Sequence, residues 1–229
     1  MNYFQELAGK YDAWFRTSHG QYVYKYENQM INRLLDLPLD ANVLDVGCGT
    51  GIYTQELLTK GARRVVGIDI SPEMLAIAQY KTSKFGERVS FQEADAAQLP
   101  FPDDYFDVVI SITAMEFFKE PRSCLQDMYR VLRPGGHMVV ATLNSSSLWA
   151  VQRRLKACLT KTIFSNTRFY SVADIKRMME PYAVSDWVGG IFIPPFFPDW
   201  LINHPDSFEQ VCQRYIPNYG AFVVARIDK

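Results

Sequence analysis

Three glycines at alternate positions, Gly47, Gly49 and Gly51, follow directly on the apolar run Val43-Leu44-Asp45-Val46. Glycine tolerates left-handed backbone in so tight a turn and lets a ligand lie close against the main chain. A strand that runs into such a turn, with a helix starting near Tyr53, sets a ligand site at the carboxyl end of an open α/β sheet. The spacing narrows the ligand. A dinucleotide fingerprint reads G-x-G-x-x-G and seats a pyrophosphate on the following helix. Here the third glycine comes one residue early, and Ile52 stands where that fingerprint wants glycine. The Gly-Lys-Ser/Thr of a phosphate-binding loop is also missing from the motif. Asp45, one residue before the strand pattern ends, adds a carboxylate close to the turn. That suits a cationic or amine-bearing ligand better than a diphosphate. Cys48 is read as a small residue in the turn and not as a catalytic thiol.

Further carboxylates fall at matching places. Asp69 ends the run Val65-Val66-Gly67-Ile68. A carboxylate there can accept hydrogen bonds from both hydroxyls of an adenosine ribose. Asp95, in Glu93-Ala94-Asp95-Ala96, is placed to accept from an adenine amino group, with Met74 and Leu99 as apolar walls.

These residues need elements to hold them. Short β-branched runs predict strands over Asn42–Val46, Arg64–Asp69, Val89–Glu93, Phe106–Ser111 and His137–Leu143. Helical spacing predicts helices over Tyr53–Lys60, Glu73–Lys84 and Arg122–Leu132; Met74, Ile77 and Ala78, for instance, fall at i, i+3 and i+4. Ser71-Pro72-Glu73 reads as a helix start, and Arg133-Pro134-Gly135-Gly136 as a helix stop before the fifth strand. Alternation of this kind predicts an α/β fold, a doubly wound and mostly parallel sheet. The expected organisation is one domain over 1–229. It comprises an N-terminal helical lid (1–41, with a helix near Gln21–Leu37), a cofactor-binding core (42–144), an aromatic-rich cap (145–205), and a C-terminal helix and edge strand (206–229), the strand being Gly220–Ile227.

With these motifs in view, the chain resembles the class I S-adenosylmethionine-dependent methyltransferases of the methyltransferase-11 or ubiquinone/menaquinone-methyltransferase-like type. The resemblance rests on VLDVGCGTG, VVGIDIS, EADAAQLPF, and FDVVIS followed by LRPGG, and it covers about Asn42 to Asn144. It implies a Rossmann-like seven-stranded sheet with an antiparallel last strand, and S-adenosyl-L-methionine as cofactor. Gly47, Gly49 and Gly51 would shape the methionine side of the pocket. Asp69 would hold the ribose, and Asp95 and Ala96 the adenine; Asp45, Cys48, Ile70, Met74 and Ile112 complete the expected cofactor contacts. Tyr11, in Tyr11-Asp12-Ala13-Trp14-Phe15, resembles a segment that folds over the cofactor and is expected near the sulfonium. Core packing of those aromatics is the alternative. Glu116 stands in the loop that faces the acceptor in relatives, where many carry histidine. A buried glutamate there could take a proton from an acceptor hydroxyl or amine; a solvated loop carboxylate is the other reading.

Composition sets outer limits. The chain has 229 residues and a net charge of −1, so the overall basic excess of a nucleic-acid binder is absent. Four cysteines and three histidines form no ligand-spaced cluster, and no metal is expected. No apolar run suggests a signal peptide or membrane span, which makes a cytoplasmic enzyme with reduced thiols the expectation. Aromatics in 1–30, 112–120 and 145–205 suggest a small apolar or aromatic acceptor; they would equally serve a helical cap or a homodimer interface. The basic scatter from Arg153-Arg154-Leu155-Lys156 through Lys161 and Arg168 is read as a solvated helix face, with an acidic substrate or a membrane surface as the alternatives. A macromolecule methylase is disfavoured by the charge and by Ser111-Ile112-Thr113-Ala114, which lacks Asn/Asp-Pro-Pro-aromatic. A cofactor-binding sensor that has lost transfer stays open.

Overall fold

A computed structural model of the chain describes Trp14 and residues 16–159, 167–197 and 205–229. Strands β1 (Asn42–Val46), β2 (Arg64–Asp69), β3 (Val89–Glu93), β4 (Phe106–Ile112), β5 (Leu132–Leu143), β6 (Asp186–Gly190) and β7 (Phe222–Asp228) form one sheet. Its order is β3-β2-β1-β4-β5-β7-β6. Strands β1 to β5 pair in parallel, and β7 runs antiparallel to both β5 and β6. The described helices are α1 (Ser18–Leu35), α2 (Ile52–Thr59), α3 (Pro72–Thr82), α4 (Pro121–Val131), α5 (Leu148–Leu159), α6 (Val172–Met179) and α7 (Asp206–Tyr215).

The period-two alternation of a strand divides the apolar residues between two cores. Val43, Val65, Val108, Ile110 and Val139 pack with Ile31 and Leu34 of α1 and with Leu57 and Leu58 of α2. Leu44, Val46, Val66, Ile68, Val109 and Val140 pack with Leu125 and Met128 of α4 and Ile175 of α6. With both faces covered, the central strands need apolar side chains at nearly every position, and β4 is buried along its whole length. Side-chain caps fix three helix starts. Thr17 accepts from Gly20 N–H, Ser71 accepts from Met74 N–H, and Ser171 forms a reciprocal capping box with Asp174. The chain steps outward from β1 to β3 and returns to β4 beside β1. The carboxyl ends of β1 and β4 therefore diverge into loops on opposite faces, which opens the crevice at this switch point.

Two expectations need correction. The last strand is not an edge strand: β7 lies between β5 and β6, and β6 forms the edge. Strand β6, Asp186-Trp187-Val188-Gly189-Gly190, carries little strand signal because glycine weakens a strand. Its glycines are needed for close approach. A Cβ on Gly189 would overlap the Pro217 carbonyl, and Gly220 lies against the Gly190 backbone. Arg133-Pro134-Gly135-Gly136 does not separate helix from strand. Strand β5 already starts at Leu132 and pairs with Phe106, and the register to β4 resumes only at His137 opposite Val108, so the four residues form a bulge.

Beyond β6 the chain bends at Ile191, whose φ of 69° is unusual for a β-branched residue. Buried Glu209 of α7 accepts from the N–H groups of Ile191 (3.0 Å) and Phe192 (2.8 Å) and from the Tyr22 hydroxyl of α1. Ile193 N–H donates to the same tyrosine oxygen at 3.2 Å. This carboxylate joins α1, α7 and the post-β6 loop. Replacing Glu209 by alanine strands these donors, at a cost of about 3 kcal/mol. The midpoint of thermal unfolding is expected to fall by roughly 6–12 °C, read by calorimetry; a fall under about 2 °C would show that the loop does not depend on the carboxylate.

Candidate active site

All three motif glycines adopt left-handed backbone, with φ of 71° at Gly47, 52° at Gly49 and 77° at Gly51. Their surroundings differ. A Cβ on Gly47 would overlap the Ala114 methyl, and one on Gly51 would lie 2.9 Å from the Ala78 methyl. Those two glycines let the loop after β4 and helix α3 close on the turn. A Cβ on Gly49 would meet nothing within 4 Å, so the middle of the turn faces open space. Two N–H groups, of Gly47 and Cys48, share the Ile68 carbonyl at 2.8 and 2.9 Å, which ties the turn to β2.

Asp69 completes that tie. Its Oδ2 accepts from Gly49 N–H at 2.9 Å, and its Oδ1 accepts from Ser71 N–H at 2.9 Å. Ile70 N–H adds a third backbone hydrogen bond, which leaves room on the carboxylate for a further donor. Burial raises its pKa above the ordinary value, opposed by the backbone hydrogen bonds from Ser71 and Gly49. Next to it Ile70 is 60% exposed, while Met74, Ala96 and Leu99 are buried. The Asp95 carboxylate is exposed and uses Oδ1 to accept from Ala97 N–H at 2.9 Å.

Asp45 and Cys48 lie beneath the turn. Asp45 is buried, and its Oδ2 accepts from the Thr54 hydroxyl at 2.5 Å. Burial first, then the charge of Asp69, pushes its pKa up to about 7. Cys48 is buried with its sulfur against Gly67, and burial holds its thiol protonated. Ile112 packs into the core beneath the crevice. Tyr11 and Lys161 lie outside the described residues.

The loop after β4 brings Glu116 to the rim, two residues from Ala114. Glu116 is only 3% exposed, not solvated. Its Oε1 accepts from the Thr142 hydroxyl at 2.8 Å and from Leu143 N–H. Its Oε2 is buried and finds no hydrogen-bond partner among the described residues. The charge of Arg153 acts on Glu116 and also on Glu27 of α1. Glu27 is buried and accepts from the Tyr53 hydroxyl, at the start of α2, at 2.9 Å. Burial pushes the Glu27 pKa up to about 7, and burial brings Arg153 down to about 10. Arg153 lies over Trp149 at 5.0 Å and faces Phe169 at 5.9 Å. The solvated-face reading of the basic stretch therefore holds for Arg154 and Lys156, which are exposed, and fails for Arg153, which turns inward. No sequence signal marks Glu27, Tyr53 or Arg153. Each sits in an ordinary helical pattern, and only packing brings them together.

Among the described residues no group of three metal-ligating side chains occurs, and no helix is long and apolar enough to cross a membrane. The described cysteines, Cys48, Cys124 and Cys212, are free and buried.

Residues 44–140 match the family of methyltransferase domains called methyltransferase-11. A demethylmenaquinone methyltransferase of Thermus thermophilus is 38% identical over 60% of this chain, which spans 62% of that relative's length. An uncharacterized protein of Methanocaldococcus jannaschii is 28% identical over 79% of this chain and 80% of its own. The fold is that of a solved S-adenosylmethionine-dependent methyltransferase from Thermotoga maritima. The two superpose with a TM-score of 0.72 at 22% identity, over 98% of this chain and 97% of that one.

The unequal glycines predict unequal substitutions. Gly47→Ala is expected to lower folding stability by about 3 kcal/mol through overlap with Ala114 and left-handed strain. Gly49→Ala carries only the strain, about 1 kcal/mol, yet fills the open space; it should fold and lose affinity for S-adenosylhomocysteine at least tenfold. Denaturation and calorimetry together separate the two, and equal losses of stability would refute the distinction. Asp45 yields a pH effect. Its folded pKa, about 7, lies above its ordinary value of 3.8. Its contribution to stability is therefore fully present below pH 4 and is lost as pH rises toward 7. The stability of the native chain relative to Asp45→Asn should fall across that window and level off above it, which a series of melts against pH will check.

Proposed function

We propose that this chain, whose residues 44–140 match the methyltransferase-11 domain family, transfers a methyl group from S-adenosylmethionine to a small acceptor. The observation that carries this reading is the open space at Gly49 beside a carboxylate with room for a further donor, at the switch point of the sheet. The residues fit the cofactor. Asp69 would accept from the ribose hydroxyls, with Met74, Ala96 and Leu99 as apolar walls for the adenine and Asp95 as acceptor for its amino group. The glycine turn would lie against the methionine portion, and the acidic residues Asp45 and Asp69 suit a ligand that carries positive charge. Bound there, S-adenosylmethionine supplies a methyl carbon activated by positive sulfur, with a neutral thioether as leaving group.

What remains for the chain is to orient the acceptor and to keep water away. Orientation alone can contribute roughly 7–11 kcal/mol. The loop 113–118 is suited to this, because Ala114 contacts the turn and Glu116 is buried beside it. Glu116 Oε2 would take a proton from the acceptor heteroatom, a role typically worth about 10²–10⁴-fold. The aromatic groups Trp149 and Phe169, gathered around Arg153, favour a small apolar or aromatic acceptor. A relative named as a demethylmenaquinone methyltransferase supports a small molecule over a macromolecule.

Calorimetry tests the reading. S-adenosylmethionine and S-adenosylhomocysteine are expected to bind with dissociation constants on the order of micromolar, and NAD not at all. Asp69→Ala should weaken binding at least tenfold, since it removes the ribose acceptor and a tether of the turn. NAD binding, or an unchanged affinity in the variant, would defeat the assignment.

A further inference from the structure

The buried cluster at the rim has an unbalanced charge. Glu27 and Glu116 are 5% and 3% exposed, and the guanidinium of Arg153 acts on both. Among the described residues, these two carboxylates and this guanidinium leave one excess negative charge when all are ionised. Hydrogen bonding is also incomplete. Glu116 Oε1 is satisfied by Thr142 and Leu143, whereas Oε2, equally out of solvent, has no donor among the described residues. A buried carboxylate oxygen without a donor costs free energy that a ligand can recover. Such a ligand must bring an N–H or O–H. A cation would also neutralise the excess charge, a neutral alcohol would only donate, and an anion would be repelled. The aromatic rings of Trp149 and Phe169, already facing one cation, add faces that attract positive charge.

We propose that the acceptor is an amine, held as its ammonium form by Glu116 Oε2 within the Glu27–Arg153–Glu116 cluster. This rests on the methyl-transfer reading above and names its substrate class. The position fits the chemistry. Glu116 follows Ala114, which contacts the glycine turn, by two residues in the loop after β4, and its carboxylate is anchored at the end of β5 by Thr142 and Leu143. One N–H proton passes from the ammonium to Oε2, and the nitrogen keeps the bonding pair as its lone pair. Two factors favour a carboxylate ready to take that proton: its burial, and the partial compensation by Arg153, which stops short of full neutralisation.

Matched ligands differing only in the head group test this. Binding of 2-phenylethylamine, 2-phenylethanol and phenylacetate, and of hexylamine, hexanol and hexanoate, is measured by calorimetry on the full chain saturated with S-adenosylhomocysteine. In at least one series the amine should bind ten times more tightly than its alcohol, and the carboxylate should not bind. Glu116→Gln should bring amine and alcohol within twofold of each other while its affinity for S-adenosylhomocysteine stays unchanged. Glu27→Gln, which leaves the Oε2 contact in place and removes charge, should weaken the amine several-fold and the alcohol little. Alcohol binding as tight as amine binding, no amine binding in either series, or an amine preference surviving in both variants overturns the proposal alone. Failure of S-adenosylhomocysteine to bind overturns the methyl-transfer reading and the proposal with it.

Discussion

The tether between the glycine turn and β2 governs the layout of the crevice. One carbonyl, of Ile68, accepts from two successive N–H groups, and the Asp69 carboxylate takes the next donor of the turn, Gly49 N–H. A backbone with three left-handed residues has no regular ladder of its own, so its donors need such partners. Once the turn is fixed, other elements follow from contact. Helix α3 rests on it through Ala78, and the loop after β4 through Ala114. The start of α2 is fixed as well, since Gly51 is its N-cap. The carboxylate suited to the ribose is thus also a structural tie, and the two roles cannot be separated by removing Asp69 alone.

Around this turn the chain buries an unusual amount of charge. Asp45, Glu27 and Glu116 are all nearly inaccessible, and burial raises the pKa of each. Buried carboxylates are costly unless hydrogen-bonded and paired. Asp45 receives one side-chain donor from Thr54, and Glu27 receives one from Tyr53. Glu209, farther from the crevice, receives three and serves the fold.

The far side of the sheet shows the same use of small residues. The glycines of β6 and Gly220 allow the edge strand, the Pro217–Tyr219 turn and β7 to approach closely. That packing brings the post-β6 loop against α1 and α7, where Glu209 secures it.

The repeating apolar pattern by itself determined the α/β alternation, and the boundaries of β1, β2 and β3 match the short runs read from it residue for residue. The glycine spacing likewise determined the left-handed turn after β1, since only local backbone geometry is needed there. Tertiary structure alone decided that β7 inserts between β5 and β6, because a strand's neighbours depend on pairing across the sheet and not on its own pattern. It alone decided that Arg153 turns inward while Arg154 stays in solvent, and that the charge of Arg153 acts on both Glu27 from α1 and Glu116 from the loop after β4. These residues are far apart in sequence, and no local periodicity records a coupling of that kind.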